Sequence, residues 1–412
     1  MTTTARPTQA RTTRFPCFDG FRAIAALGVL VNHVGFFSGK NVRSDTFGPF
    51  LARMDIGVAI FFLISGFLLY RPFVDRIFAG ADQPKLGPFL KRRALRIFPA
   101  YWVCLTVVIF VFEFQTVDVK GFFLHYGLLQ IYSHDHIIGG PVQQAWTLSV
   151  EITFYLFLPF YAWLTARFTR DARHALRVQL YGAAALYAIS LVYRGALYAA
   201  QVEDTGRYRS WLPGYFDYFA LGILLAVASA WIARSGRREW SITSSRAFPW
   251  VCWAIAFVNF VIVSKAIGLQ RGPAELTTRD GIQIISDLPF GKEFGLQFFY
   301  STAAFFFLLP GVFGPQDRGL IRRFLANPVM VWLGLISYGI YLWHEAALDG
   351  YARWTDTLPF AGNFSSMLPV TLATTLVVAA ISYYLIERPA LTLKDRALWR
   401  GGRHPVDSEP AP

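Results

Sequence analysis

The sequence predicts an all-α, polytopic transmembrane bundle, and three observations carry that expectation. Of 412 residues, 54% are hydrophobic and only 16% charged, where a soluble protein carries about 25% charged residues. The mean hydropathy is +0.39. The charges gather between apolar runs of roughly 17 to 22 residues, the length that crosses a hydrocarbon core of about 30 Å.

The runs fall at 21–38, 57–73, 98–114, 146–166, 178–199, 214–232, 247–266, 295–313, 328–346 and 366–386. That makes about ten crossings. One more stretch, 121–133 (GFFLHYGLLQIYS), is too short to cross and reads as half-inserted or interfacial. Loop charge sets the orientation. With the N-terminus cytoplasmic, the inner loops hold Arg71, Arg76, Lys85, Lys91, Arg92, Arg93 and Arg96, then Arg167, Arg170, Arg173 and Arg177. Arg234, Arg237 and Arg238 follow, then Arg318, Arg322 and Arg323, while the outer loops are nearly balanced. Both termini are therefore expected inside. Letting 121–133 cross would turn every later basic loop outward.

Residues 1–20 are polar, with Arg6, Arg11 and Arg14, and lack the apolar centre of a secretory leader. The first run is expected to be kept as a span. The organisation read from this is a cytoplasmic tail at 1–20, one transmembrane domain at 21–388 and a second cytoplasmic tail at 389–412. No internal repeat is visible. The net charge of +13 is spread over loops rather than gathered on one surface, so it reads as membrane orientation and excludes nucleic acid as a partner. Cys17, Cys104 and Cys252 are too far apart for a disulfide framework or metal spacing, and no metal is expected.

Polar residues inside spans are costly and mark candidate sites. FRAIAALGVLVNHVGFF, 21–37, carries Arg22 at one end and Asn32 and His33 in its apolar run. Eleven positions at 100° each bring His33 to within about 20° of the face of Arg22, about 16 Å further along the helix. That stripe suits a ligand with an anionic end held near the cytoplasm and a reactive end at mid-depth. Equally, Arg22 can pair with Asp19 and His33 can bond a neighbouring helix. KRRALRIFPAYW, 91–102, sets Arg92, Arg93 and Arg96 ahead of Tyr101, either as a phosphate clamp or as membrane anchoring. QAWTLSVEITFYLFLPF, 144–160, places Glu151 inside a span beside Trp146 and Ser149. Glu151 is a candidate to orient His33 or an acceptor hydroxyl. Asp217 is expected to pair with Arg194, and His344 with Glu345 are further outer-half polar groups. Ser65 and Gly66 in FFLISGFLLY read mainly as close helix packing.

Seven segments in order, FDGFRAIAALGVLVNH, FFLISGFLL, KRRALRIFPAYW, WTLSVEITFYLFLP, FDYFALGILLA, ISYGIYLWH and YYLIERPA, make the chain resemble the acyltransferase-3 family of integral membrane acyltransferases. The family's R-x10-H pattern falls on Arg22 and His33, its RRxxR on Arg92, Arg93 and Arg96, and its WSLSVE on Trp146, Ser149 and Glu151. Ile152 and Thr153 depart from the residues that usually follow, and FDGF replaces the commoner LDGL. The resemblance implies acyl transfer, commonly acetyl from acetyl-CoA, to a hydroxyl of an envelope glycan, glycolipid or small molecule such as a macrolide. It implies a multi-pass protein of the plasma or inner membrane. Expected roles are His33 as general base with Glu151 and Arg22 beside it, and Arg92, Arg93, Arg96 and Tyr101 on acyl-CoA. Trp146, Ser149, Asn32 and His344 are expected at the acceptor. The competing class is a proton-coupled secondary transporter or lipid flippase, with His33 and Glu151 as a proton relay.

Overall fold

The computed structural model describes residues 15–43, 46–113, 117–136, 140–202, 205–235, 242–267, 289–315 and 318–399. The ends of both expected tails, most of the loop after 267, and Arg237 and Arg238 lie outside these residues. The main helices are α1 (Cys17–Phe37), α2 (Ile56–Ala79), α3 (Leu86–Thr106), α4 (Val119–Tyr126), α5 (Trp146–Arg167), α6 (Ala172–Ala199) and α7 (Phe216–Arg234). They continue as α8 (Phe248–Ile262), α9 (Phe290–Val312), α10 (Leu320–Leu325), α11 (Pro328–Leu335), α12 (Ser337–Trp354), α13 (Phe364–Ser382) and α14 (Arg388–Trp399). Among the described residues there is no strand.

Local chemistry explains several boundaries. Asp171 caps α6 by accepting the backbone N–H groups of Arg173 and His174 at 2.9 Å each. Asn327 does the same for Met330 at 3.0 Å, with Pro328 ready at the first helical position. Gly80, at φ 64°, stops α2 in the left-handed conformation that glycine adopts freely. Between the caps the spans are apolar on both sides but sorted by polarity. Phe110, Val192, Phe257, Val377 and Leu385 are exposed on the outside of the bundle, whereas Ser190, Asp217, Gln297 and His344 are buried within it. A solvent of lipid accounts for that sorting.

One close crossing joins α2 and α7. A Cβ on Gly222 would overlap the Leu63 carbonyl, and Gly66 faces Gly222 and Phe219 in return. Removing side chains there lets two backbones meet, the usual route to helix association in lipid. Phe219 then stacks on Phe154 of α5 at 3.8 Å and on Phe62 at 4.9 Å. Gly222→Val is expected to destabilise the bundle by about 1–3 kcal/mol through overpacking. Thermal unfolding of the detergent-purified protein reads this, and an unchanged midpoint would count against the crossing.

Nine helices among the described residues are long and apolar enough to cross a membrane. The tenth expected crossing, 328–346, is corrected: it is an interrupted pair, α11 and α12, that breaks at Ile336. The cause is local. Gly334 lies directly on the backbone of Asp19 in α1, and the Ser337 hydroxyl donates to the Gly334 carbonyl at 2.8 Å, competing with the helical ladder. The 121–133 stretch forms only α4 and short 3₁₀ turns. Eight helical residues cover about 12 Å, so this segment does not cross. Beyond α13 a π-helical turn at Tyr383–Glu387 leads into α14, so the chain stays helical into the region expected as a tail.

The ends of the bundle are tied separately. At one end the Phe360 N–H donates to the Phe37 carbonyl at 2.6 Å, and Lys265 Nζ donates to the Thr46 carbonyl at 3.2 Å. At the other, Arg322 donates to the carbonyls of Pro310 and Phe313 at 2.8 Å each. One pairing expected from sequence is also corrected. Arg194 bonds Glu293 at 3.2 Å and the Gly214 carbonyl at 2.8 Å, while Asp217 accepts from Gln297 at 2.6 Å and Ser190 at 3.1 Å. Asp217 thus has neutral donors from two neighbouring helices, α9 and α6, and Glu293, on the same helix as Gln297, takes the cation.

Candidate active site

His33 lies near the end of α1, in a turn held by its neighbour. Asn32 donates to the carbonyls of Leu51 and Ala52 at 3.0 Å each, and Asn41 donates back to the Asn32 carbonyl at 3.2 Å. These bonds fix the turn and with it the direction of the next side chain. The facing surface is α12, where Gln144 donates to the Leu342 carbonyl at 2.7 Å. Two consecutive residues of α12 meet the imidazole. His33 Nδ1 is 2.8 Å from His344 Nε2 and 2.9 Å from Glu345 Oε1.

The proton arrangement follows from the partners. His344 Nδ1 lies 3.2 Å from the Ile340 carbonyl, which only accepts, so that nitrogen carries the hydrogen. In a neutral His344, Nε2 is then an acceptor. His33 Nδ1 faces this acceptor and a carboxylate, and must be the donor to both. The lone pair of neutral His33 is thereby placed on Nε2. An imidazole with its Nδ1–H on a carboxylate and a free Nε2 is the arrangement of a general base. The same three side chains are a 2-His-1-carboxylate set with ligand atoms within 4.8 Å of one another.

A second feature lies beside this cluster. A cavity of about 270 Å³ is lined by Arg22, Arg93, Arg96, Glu151, Ser65 and Tyr341, among others. Three guanidinium groups and one carboxylate give it a net positive character. The Ser65 hydroxyl donates to Glu151 at 2.5 Å, and Arg22 keeps Asp19 at 3.7 Å. Arg93 Nε is buried without a hydrogen-bond partner. A buried guanidinium N–H left unmatched points to a ligand acceptor. The break in α11–α12 places Ser337 and Tyr338, at the start of α12, on the cavity wall. Helix N-termini favour anions. Tyr341 joins the two features, since it lines the cavity and its ring centroid is 5.9 Å from that of His344.

The sequence candidates divide accordingly. Arg22, Arg93, Arg96 and Glu151 line one cavity, and His33 meets His344. Arg92 is half-buried and not part of that lining. Tyr101 is buried with its hydroxyl on the His125 carbonyl at 2.7 Å, away from the cavity. Ser149 donates to its own helix at the Ala145 carbonyl, 3.4 Å away. Trp146 packs on Tyr215 at 5.5 Å, and the Asn32 side chain is taken up by backbone. The carboxylate on His33 is Glu345, whereas Glu151 holds Ser65. Glu345 and Tyr341 were the residues that sequence reasoning left without a role. The signal was the His-Glu adjacency in YLWHE, because successive helical side chains, 100° apart, can both reach one ring laid across the helix.

Comparison with known proteins agrees with this architecture. A family described as an acyltransferase domain matches residues 15–386. Similar curated proteins include a peptidoglycan O-acetyltransferase of Listeria monocytogenes, 23% identical over 92% of this chain and 57% of its own length. A putative O-acetyltransferase of Staphylococcus aureus is 24% identical over 95% of this chain and 59% of its own. The chain thus spans somewhat over half the length of these relatives. Nodulation protein 10 of Rhizobium leguminosarum is 24% identical over 92% of this chain and 93% of its own length. No solved structure matches. With that match over almost the whole helical bundle, the chain belongs to the acyltransferase-3 family of membrane acyltransferases.

Proposed function

We propose that the protein is a multi-pass O-acyltransferase of the plasma or inner membrane. It moves an acyl group, acetyl foremost, from cytoplasmic acyl-CoA to a hydroxyl of an envelope carbohydrate, glycolipid or related acceptor. The observation that carries this reading is the His33–Glu345–His344 cluster joined through Tyr341 to an arginine-lined cavity. The names of the similar O-acetyltransferases support the same class.

In this mechanism Arg93 and Arg96 bind phosphate oxygens of the donor as bidentate forks, and Arg22 adds a third cation. Glu151, with Ser65, holds negative charge among the arginines and spaces them apart. The distance from Arg22 to His33 along α1, about 16 Å, is of the order of an extended pantetheine arm. His33 Nε2 takes the proton of the acceptor hydroxyl as its oxygen attacks the thioester carbonyl carbon. The tetrahedral intermediate collapses with cleavage of the C–S bond, and the imidazolium returns the proton to the departing thiolate. Glu345 stabilises the imidazolium while it exists.

Labelled acetyl-CoA tests the reading directly. The purified protein is expected to consume the thioester in the presence of a hydroxyl acceptor, whereas a transporter consumes none. Arg93→Ala combined with Arg96→Ala is expected to raise the donor KM by about 10²–10⁴-fold, as loss of two charge-assisted bonds would. The acceptor KM should move little. An unchanged donor KM would remove the clamp from the mechanism.

A further inference from the structure

A second constellation lies on the connecting segment at the Phe37 end of the bundle, outside the site described above. The Ser133 hydroxyl is 2.9 Å from His136 Nδ1, and His136 Nε2 is 2.9 Å from Asp118 Oδ1. The proton positions again follow from the partners. The Asp118 carboxylate only accepts, so His136 Nε2 carries hydrogen. In the neutral ring Nδ1 is then the lone pair, and the Ser133 O–H donates to it. A hydroxyl donating to an imidazole oriented by a carboxylate is the geometry of an activated nucleophile. The ring is used in the opposite sense to the usual triad, with Nδ1 toward serine.

Several features show that the line is built rather than incidental. Gly121 makes room for it, since a Cβ there would sit 2.6 Å from Asp118 Oδ1 and 2.8 Å from His136 Cδ2. Asp118 is also fixed as the cap of α4, accepting the Gly121 N–H at 2.8 Å. The His136 bond holds the Asp118 carboxyl below its usual range, so it remains an anion. His125, whose ring centroid is 6.3 Å from that of His136, is pushed down to about 4 by burial and adds no competing charge near neutrality. The segment is anchored to the bundle. The Trp211 indole donates to the Ile131 carbonyl at 3.1 Å, and Tyr132 and Thr153 share a hydroxyl bond of 2.9 Å. Ser133 lies at an open surface depression that Lys120, Tyr132 and Arg207 also line.

We propose that Ser133, His136 and Asp118 form a second nucleophilic site, which takes an acyl group from an oxygen ester and passes it to another hydroxyl or to water. Ser133 Oγ attacks the ester carbonyl carbon while His136 Nδ1 takes its proton. The ester C–O bond breaks, and His136 delivers that proton to the departing alcohol. Acyl-Ser133 and a free alcohol result. The second half repeats the steps in reverse, with the incoming hydroxyl as nucleophile and Ser133 as leaving group. The source of such an ester rests on the acyltransferase reading, because that reaction makes one, but the reactivity of Ser133 stands without it.

The test uses the full chain in detergent, a fluorophosphonate probe, and peptide mass spectrometry to locate the adduct. The probe is expected to phosphonylate Ser133, and Ser133→Ala should abolish that adduct. Asp118→Asn keeps the helix cap, because asparagine caps as well as aspartate, and the residue is exposed. It should slow labelling at least about tenfold, by presenting the wrong tautomer of His136. His136→Gln should remove labelling. No adduct at Ser133, or one that forms equally fast in Asp118→Asn and His136→Gln, overturns the proposal. Labelled acetyl-CoA turnover is read in the same preparations. Ser133 labelling that persists in His33→Ala while thioester turnover is lost supports two separate sites, whereas loss of both in a folded His33→Ala protein overturns their independence.

Discussion

His33→Ala is expected to lower acyl transfer by about 10²–10⁴-fold, the contribution of a positioned general base. The protein should still insert and fold, because the turn that carries His33 is held by Asn32 on the carbonyls of Leu51 and Ala52, not by the imidazole. Size-exclusion chromatography and a thermal midpoint within a few degrees of the parent establish the fold. Thioester consumption with acceptor present then reads the chemistry. Full activity in such a protein would remove His33 from the mechanism. Binding of the donor should survive, since the arginines that line the cavity are elsewhere on α1 and α3. A loss that appeared wholly in the donor KM would therefore assign His33 to binding rather than to proton transfer.

The second large effect is expected at a neighbour of the base. Glu345→Gln preserves size but replaces a pure acceptor with an amide that also donates. The amide can turn its NH₂ toward His33 and draw the hydrogen from Nδ1 to Nε2, which blocks the base. It also withdraws the charge that stabilises the imidazolium. By analogy with the carboxylate of a catalytic triad, kcat is expected to fall by as much as about 10⁴-fold with the donor KM within about twofold. Glu345→Asp should recover part of the loss if its shorter arm still reaches the ring. Activity above half of the parent in Glu345→Gln would show that the 2.9 Å contact with His33 is structural.

Most of the fold was legible because lipid imposes a simple rule. A run of some 20 apolar residues crosses, and the ends of the nine uninterrupted spans differ from the expected runs mainly by extra turns outside the hydrocarbon length. The interruption at Ile336 was not legible. It depends on Gly334 meeting Asp19 more than three hundred residues earlier, a contact that no local pattern encodes. The site was legible to the extent that single residues betray themselves. Arg22, His33, Arg93, Arg96 and Glu151 stood out because ionisable groups are rare in spans. Their partners did not. Whether Glu151 or Glu345 meets His33 depends on how α1, α5 and α12 face one another, and periodicity fixes a face without fixing its neighbour. Tyr101 and Ser149 stood close to informative residues in sequence but turn to backbone carbonyls, because their helices present a different side to the cavity.

The Gly66–Gly222 crossing has a consequence for how this protein can diversify. Ser65 lines the cavity and the next residue is pressed against another backbone, so the position of α2 beside the cavity is set by main chain. The cavity's α2 side chains, Phe61, Ser65 and Leu68 among them, can change in place, but α2 itself cannot shift without parting two helices. The opposite wall carries Leu148, Tyr338 and Tyr341. Lineages that come to accept longer or bulkier groups should therefore change cavity side chains on either wall and keep the glycine crossing intact.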